Sequence, residues 1–321
     1  MQISVIVPTY NSERTIDETI KSILSSDFPK NEFEILVIDD GSRDNTVKIS
    51  KQFKQIRVFA RKHLGPAAQR NFGVKTAKGD IILFTDSDCI IPKDLLKRVS
   101  DDFKKYEIAG VGGTYRTLNK ESLIARYVGY EIEYRHEKEK KFTDFLGTYC
   151  CAYKRDIFLK FGGFDEKFLT ASGEDPELSF RISRGHKLLL DKKLFVWHPH
   201  PNSLRKYLRN QYWRAYWRVL MYKKFPKKIL GESYTGKEIP MASFFMLLFL
   251  LALFLSFFQR YLIYVSLLSL ILFYSVYYRF FRFIIKEEKT QVLYALIILP
   301  IRTITCFLGF FYGLIKIKSS S

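Results

Sequence analysis

The sequence predicts an α/β domain with a parallel sheet, followed by a basic segment and transmembrane helices. Residues 1 to about 115 alternate apolar strand patterns with helical patterns, a spacing typical of parallel strands joined by right-handed crossovers. Beyond residue 239, long runs without a charged residue follow. We therefore expect an α/β domain at 1–202, a basic and aromatic amphipathic segment at 203–238, and a membrane domain at 239–321.

The composition restricts the partners. The 321 residues include 52 Lys and Arg against 33 Asp and Glu, a formal net charge of +19. Such an excess indicates an anionic partner, which is nucleic acid, an anionic membrane surface or a phosphorylated substrate. The four cysteines have no metal-ligand spacing and no plausible disulfide framework, which favours a reducing compartment.

Polar residues follow the first two predicted strands. The first strand, 3–7, ends at Pro8-Thr9-Tyr10, and Glu13 lies at the start of the helix predicted over about 12–25. These residues either hold a base and ribose or simply begin a capped helix. The second strand, 34–38, ends in Asp39-Asp40-Gly41-Ser42. We expect Asp40 to accept hydrogen bonds from a base or a ribose, and Asp39 to bond loop amides.

The strand over 80–85 runs directly into Asp86-Ser87-Asp88. Two carboxylates two residues apart at a strand end are hard oxygen ligands that suit Mg²⁺ or Mn²⁺. The alternative is a solvated turn. Arg70, on the helix before this strand, is expected either to pair with a diphosphate or to form a surface ion pair.

The region from 108 to 200 has a less regular pattern. Strands are predicted over 108–115 and 148–153, and a charged helix over 121–139. A further helix begins near Pro176, because proline favours the first helical turn. The two residues before Pro176, Glu174 and Asp175, are suited to cap this helix and to interact with its dipole.

The C-terminal third predicts membrane attachment. Residues 203–238 carry ten Lys or Arg against two Glu, interleaved with aromatic residues, as in a helix at an anionic headgroup layer. A solvated basic helix and a nucleic-acid-binding segment are the alternatives. Met241 to Phe258 and Tyr261 to Tyr278 are each long enough to span a membrane. The third stretch, 292–315, contains Pro300 and Arg302, so it kinks, lies in the interface, or places Arg302 against an internal anion.

Several of these motifs occur in an order that resembles the inverting family 2 glycosyltransferases with a GT-A fold, over about residues 1 to 200. The motifs are Pro8-Thr9-Tyr10-Asn11-Ser12-Glu13, Asp39-Asp40-Gly41-Ser42, Ala68-Gln69-Arg70-Asn71, Asp86-Ser87-Asp88, Gly162-Gly163-Phe164-Asp165-Glu166 and Gly173-Glu174-Asp175. The resemblance implies a Rossmann-like, mostly parallel sheet that binds a nucleotide sugar linked to UDP, GDP or dTDP.

The resemblance also implies roles for individual residues. Asp175, with Glu174 beside it, would be the catalytic base, and a divalent cation, Mn²⁺ or Mg²⁺, would be held by Asp86, Asp88 and His198. His200 is the alternative histidine, and either ring otherwise orders the strand end. The nucleotide sugar would contact the residues that follow the strands, which are Pro8, Thr9, Tyr10, Glu13, Asp40, Gly41, Ser42, Arg70, Asp86 and Ser87.

The basic segment also carries part of a motif of processive polysaccharide synthases. Gln211-Tyr212-Trp213-Arg214 matches Gln-x-x-Arg-Trp up to Ala215, which stands in place of the tryptophan. Processive synthesis is therefore disfavoured, and Arg214, Trp213 and Trp217 are expected to face lipid phosphates or the acceptor.

The sequence therefore predicts an integral membrane glycosyltransferase whose α/β domain is cytoplasmic, because basic residues over 223–238 flank the first span and others lie in the 279–289 loop. Its acceptor would be a hydroxyl on a lipid-linked or membrane-held molecule, and no nucleic acid is expected as a partner. The rival hypotheses are a polyprenyl-phosphate sugar transferase, which needs no base, and a non-catalytic scaffold that binds nucleotide sugars.

Overall fold

The computed structural model describes residues 1–170 and 172–317. The chain forms two compact units. The first consists of residues 1–119 and 139–199, and the second of residues 120–138 and 200–321. The helix over 120–138 therefore belongs to the second unit, although the sequence predicted one continuous domain over 1–202. Its side chains find their partners far along the chain, such as Tyr207 for Glu131, 76 positions away, and Glu288 for Arg126, 162 positions away, and local patterning cannot reveal such a partnership.

The first unit is built on an eight-stranded mixed sheet of order β3-β2-β1-β4-β7-β5-β8-β6. Four neighbouring pairs are parallel, namely β1 with β2, β1 with β4, β2 with β3, and β5 with β8. The strands are β1 Ile3–Thr9, β2 Phe33–Asp39, β3 Arg57–Ala60, β4 Ile81–Thr85, β5 Gly110–Thr117, β6 Phe142–Thr143, β7 Cys150–Lys154 and β8 Leu188–His198.

Helices cover both faces of this sheet, as in other α/β domains. They are α1 Ile16–Leu24, α2 Thr46–Ser50, α3 Pro66–Thr76, α4 Leu95–Lys105, α6 Arg155–Lys160 and α7 Glu174–Ile182, with α5 Leu123–Lys138 assigned to the second unit. Alternate residues of one strand enter opposite cores. Val5 and Val7 of β1 pack in one cluster, whereas Ile6 packs in the other.

The strand directions bring the carboxyl ends of six strands, β1, β2, β3, β4, β5 and β8, to one edge. β7 is antiparallel to both β4 and β5, so β5 and its parallel neighbour β8 run in the same direction as β1 and β4. Thr9 at the end of β1 lies opposite Asp39 at the end of β2. The residues that follow β1, β2, β4 and β8 therefore share the carboxyl edge, where open α/β sheets bind their ligands.

The second unit is helical. Besides α5, its helices are α8 Leu204–Lys224, α9 Glu238–Leu255, α10 Leu262–Val276, α11 Tyr278–Glu287 and α12 Gln291–Lys316, and a short 3₁₀ helix covers Pro226–Leu230. Within this unit α8 packs on α12, and α9 packs on α10. The basic segment of the sequence thus forms a 21-residue helix with seven Lys or Arg and no acid.

Two helices, α9 and α12, are long and apolar enough to cross a membrane. The second apolar stretch, predicted as a span over 261–278, forms instead the 15-residue α10, which turns by 54° into α11. This pair forms a third span only if the bent helices cross together. The third stretch forms one continuous helix of 26 residues that contains Pro300. Arg302 pairs with the internal anion Glu131, which was one of the alternatives that the sequence left open.

Candidate active site

The loop after β2 is shaped by Asp39. Its Oδ2 accepts hydrogen bonds from the backbone N–H groups of Gly41 and Ser42, at 3.1 and 3.0 Å. The Ser42 hydroxyl in turn accepts the Asn11 N–H at 2.8 Å, and Glu13 accepts the backbone and side-chain N–H groups of Asn45. Hydrogen bonds therefore connect the loop after β1, which contains Glu13, to the loop after β2, which contains Gly41 and Ser42.

The carboxylate of Asp40 is buried and organises a third loop. It accepts the backbone N–H of Leu64 at 2.7 Å, that of Gly65, and the side-chain amide of Gln69. His63 Nδ1 lies 2.9 Å from Asp40 Oδ2, and the His63 ring stacks on Tyr10 with 4.5 Å between centroids. In this structure Asp40 therefore shapes the wall of the crevice, and the exposed Tyr10 and His63 rings stand at its rim.

Arg70 connects the two acidic motifs of the sequence. Its guanidinium is 2% exposed and donates to Glu174 Oε1 at 2.8 Å and to Asp86 Oδ1 at 3.0 Å. Burial alone would lower the pKa of Arg70, but the carboxylates of Asp86, Glu174 and Asp175 raise it above its ordinary value. The arginine is therefore a permanent cation that holds the end of β4 against the start of α7.

Glu174 itself shapes the turn that presents Asp175. Its second oxygen, Oε2, accepts the backbone N–H groups of Ser172 and Gly173 at 2.9 and 3.1 Å. Gly173 has φ +147°, and an added Cβ would lie 2.8 Å from the Phe168 ring, so only glycine fits this turn. Glu174 is almost completely buried. These contacts fix the first turn of α7 at the carboxyl edge, with Asp175 in that turn beside Arg70.

Ser87, which lies between Asp86 and Asp88, attaches the loop after β4 to α1 and to the residues before it. The Ser87 hydroxyl lies 2.8 Å from the Ser12 hydroxyl, and the Ser87 carbonyl accepts the Thr19 hydroxyl at 3.0 Å. Pro8 and Thr9, also predicted to contact the nucleotide, are the last two residues of β1. The loop after β4 is thus held in place by hydrogen bonds to α1 and to the residues between β1 and α1.

Asp88 and His198 form the part of the site best suited to a divalent cation. The His198 Nε2 lies 3.5 Å from Asp88 Oδ1, and Asp86, Cys89 and His198 offer ligand atoms within 4.8 Å of one another. Ile90 and Trp197 exchange two backbone hydrogen bonds of 2.9 Å, which joins the loop after β4 to the end of β8. Two carboxylates with an imidazole suit Mn²⁺ or Mg²⁺ coordination, so these residues fit such an ion.

Cys89 is a weaker ligand than its neighbours. Burial, and then the nearby carboxylates of Asp86 and Asp88, raise the pKa of its thiol well above the ordinary value. A protonated buried thiol packs as an apolar group. The remaining predicted residues, Trp213, Arg214 and Trp217, lie on α8 in the second unit, and His200 is a buried residue of that unit.

Several buried polar atoms near this edge lack a hydrogen-bond partner among the described residues. They include Thr9 Oγ1, Asp39 Oδ1 and Arg70 Nε. Buried polar atoms are rarely left in this condition, so these atoms identify where polar ligand groups fit. Sequence reasoning missed the contributions of His63 and Gln69. Gln69 lies inside the Ala68-Gln69-Arg70-Asn71 motif, whereas no local pattern distinguishes His63.

Comparison with known proteins identifies a glycosyltransferase domain in this chain. Residues 4–162 form a domain that matches Glycosyl transferase family 2. The mannosyltransferase PcManGT of Pyrobaculum calidifontis, solved with GDP-Man and Mn²⁺, has a similar fold with a TM-score of 0.63. It is 17% identical, over 98% of this chain and 87% of that one.

Two curated relatives are similar to parts of this chain. The poly(ribitol-phosphate) β-N-acetylglucosaminyltransferase TarS of Staphylococcus aureus is 43% identical over 102 residues, 30% of this chain and 18% of TarS. The uncharacterized glycosyltransferase EpsJ of Bacillus subtilis is 30% identical over 219 residues, 63% of this chain and 62% of EpsJ. The chain therefore spans less than two thirds of each of these relatives.

Proposed function

We propose that this protein is an inverting glycosyltransferase that moves a sugar from a nucleotide-diphosphate donor to a hydroxyl of a membrane-held acceptor at the cytoplasmic membrane face. The observation that carries the proposal is the bridge made by Arg70 between Asp86 and Glu174. This bridge joins the candidate metal-binding and donor-binding motif to the candidate base motif, and transfer from an activated sugar would need the two side by side.

The loops at the carboxyl edge would bind the sugar donor. Thr9, Tyr10 and the loops fixed by Asp39 and Asp40 would hold the base and ribose, and the exposed Tyr10 ring offers a stacking surface. Asp88 and His198, with Asp86 beside them, would hold a divalent cation. When bound, such an ion neutralises charge on the diphosphate leaving group.

Asp175 would act on the acceptor. Its carboxylate would take the proton of the acceptor hydroxyl as that oxygen bonds to the anomeric carbon, while the bond from this carbon to the diphosphate oxygen breaks. The products are the glycoside with inverted configuration and the nucleoside diphosphate, and the proton remains on Asp175. Arg70 and Glu174 act indirectly, since they position the turn that carries Asp175.

The membrane and acceptor assignments rest on the second unit and on the relatives. Two helices are long and apolar enough to span a membrane, and α8 presents Arg214 and Trp213 as exposed side chains. TarS is named for transfer to a poly(ribitol phosphate), which carries both hydroxyls and phosphates. An acceptor that combines a hydroxyl with nearby phosphate suits the basic surface of this chain.

The first test is binding of the donor. The full-length protein in detergent is titrated with UDP-, GDP- and dTDP-sugars, each with Mn²⁺, with Mg²⁺ and with EDTA, in a calorimeter. We expect one nucleotide to bind, and to bind more tightly with the cation present. Failure of all three nucleotides to bind would contradict the proposal.

The second test separates base catalysis from transfer to a phosphate acceptor. Asp175→Asn should lower kcat by about 10²–10⁴-fold because the general base is lost, while donor binding and Tm stay at the wild-type level. Asp17→Asn, on the exposed face of α1, is the matched control and should leave kcat unchanged. Undiminished transfer by Asp175→Asn, above all to a polyprenyl phosphate, would contradict the base mechanism.

A further inference from the structure

The longest apolar helix, α12, has two different faces. Its buried residues lie along one side, and include Ala295, Ile298, Arg302 and Gly309. The opposite side is an exposed apolar stripe along the length of the helix, formed by Leu293, Ile297, Ile301, Leu308, Phe311 and Ile315. At 1.5 Å per residue, this helix of 26 residues is about 39 Å long.

The second half of the buried face packs on the basic helix α8. Gly309 and Gly313 let the two backbones approach closely, because a Cβ at either position would collide with the carbonyl oxygen of Tyr212 or Tyr216. Near the end of α12, Lys223 donates to the Ile317 carbonyl. The contact with α8 therefore extends from the middle of α12 to its last turn.

The first half of the buried face packs on the charged helix α5. Arg302 forms an ion pair with Glu131 and donates to the Tyr277 hydroxyl at 2.7 Å. At the beginning of α12, Gln291 donates to the Leu123 carbonyl, and the preceding Glu288 pairs with Arg126 at 2.9 Å. Polar helices thus accompany α12 from its first residue to its last.

This packing is incompatible with an α12 that crosses a bilayer. Six of the seven Lys and Arg residues of α8 are exposed, namely Arg205, Lys206, Arg209, Arg214, Lys223 and Lys224. If α12 crossed the hydrocarbon core, α8 and α5 would enter it alongside. Each such charge is strongly disfavoured near the bilayer centre, where no water solvates it.

We infer that α12 lies flat in the surface of a bilayer that contains anionic lipid, with its exposed apolar stripe buried among the acyl chains. The cations of α8 then lie at the level of the headgroup phosphates, which is the arrangement that amphipathic interfacial helices adopt. The α9–α10 pair is left as the part of the second unit that enters the membrane. This inference concerns α12 alone and does not depend on the proposed transfer reaction.

The test measures the depth of single spin labels in the full-length protein, reconstituted in vesicles of phosphatidylcholine and phosphatidylglycerol. Labels replace Leu293, Leu308 and Ile315 one at a time, in a Cys306→Ser background whose three remaining cysteines are buried. Relaxation by oxygen, which is lipid-soluble, is compared with relaxation by a water-soluble nickel chelate. We expect all three labels at one shallow depth, although Leu293 and Ile315 are about 33 Å apart along the helix.

Labels on α9 supply the internal control. Met241 and Leu251 are both exposed on this helix, and their depths should differ if α9 enters the bilayer. A depth that changes steadily from Leu293 to Ile315, through the bilayer centre, would overturn the inference. So would labelling of Lys316→Cys by an impermeant maleimide from the side opposite to Lys54→Cys, an exposed position of the first unit.

Discussion

Two buried arginines, one in each unit, illustrate how the same chemistry serves different purposes. Arg70 in the first unit and Arg302 in the second are 2% and 4% exposed, and each is paired with a buried glutamate. Arg70 also binds the half-exposed Asp86 at the carboxyl edge, and its Nε has no partner among the described residues. Arg302 instead binds Glu131 and the Tyr277 hydroxyl within packed helices.

Because the two arginines are about equally buried, the other partners of each glutamate decide how much the loss of the arginine should cost. Glu131 has further partners in Arg135, at 2.7 Å, and in the Tyr207 hydroxyl, at 2.8 Å. Glu174 has only backbone N–H groups besides Arg70 among the bonds described. We therefore expect Arg70 to be the more critical cation, for both stability and activity.

The largest effect is expected for Arg70→Met. Removing the arginine leaves Glu174 as a buried charge without a cation, which typically costs about 3–5 kcal/mol. Thermal unfolding of the first unit can be followed by the fluorescence of Trp197 in a Trp213→Phe, Trp217→Phe background. The double variant Arg70→Met, Glu174→Gln should regain much of the lost Tm without regaining transfer, because Asp86 remains without its partner. Recovery of transfer would contradict a positioning role for Arg70.

A smaller effect is expected for Arg302→Met in the second unit. Glu131 retains Arg135 and Tyr207, so the loss should be about 1.5–3 kcal/mol, the range of one hydrogen bond to a charged group. Proteolytic susceptibility of the full chain in detergent measures this change. Donor affinity should stay at the wild-type level, and a large loss of donor affinity would contradict the separation between the two arginines.

The proposed cation site should respond more weakly to a single change. His198→Gln should weaken Mn²⁺ binding about tenfold, or about 1.4 kcal/mol, because the two carboxylates remain. The enhancement of water proton relaxation by Mn²⁺ reports this affinity directly, without turnover. Asp94→Asn, at an exposed helix start, is a control that should bind Mn²⁺ normally. Equal affinity in His198→Gln and wild type would remove His198 from the site.

The smallest effect is expected for the carboxyl group of Asp102, which has no arginine partner among the described residues. Burial, and then the charge of Asp191, raise the pKa of Asp102 from 3.8 to about 6. The folded state therefore keeps this proton longer than the unfolded chain, and stability falls as the pH rises from about 4 to 6. Asp102→Asn should raise stability at pH 7 by about 1 kcal/mol, a value reduced for partial solvent exposure, and by nothing at pH below 4. A gain independent of pH, in Tm measured across this range, would contradict the shift.

The sequence alone determined the features that depend on local patterns. Alternating apolar segments predicted β1, β2 and β4, and polar residues after each strand predicted the edge where Asp40 and Asp86 lie. The motif order predicted the family that residues 4–162 match. Long apolar runs predicted the helices α9 and α12, because a run of apolar residues is itself the signal for a candidate span.

The tertiary structure decided every feature that joins distant residues. Arg70 and Glu174 are 104 positions apart, so no local pattern reveals that one neutralises the other. The antiparallel β7 between β4 and β5, the place of α5 in the second unit, and the turn from α10 into α11 depend likewise on long-range packing. Hydropathy marks α12 as apolar, but only the charged helices packed on its other face determine how it can meet a membrane.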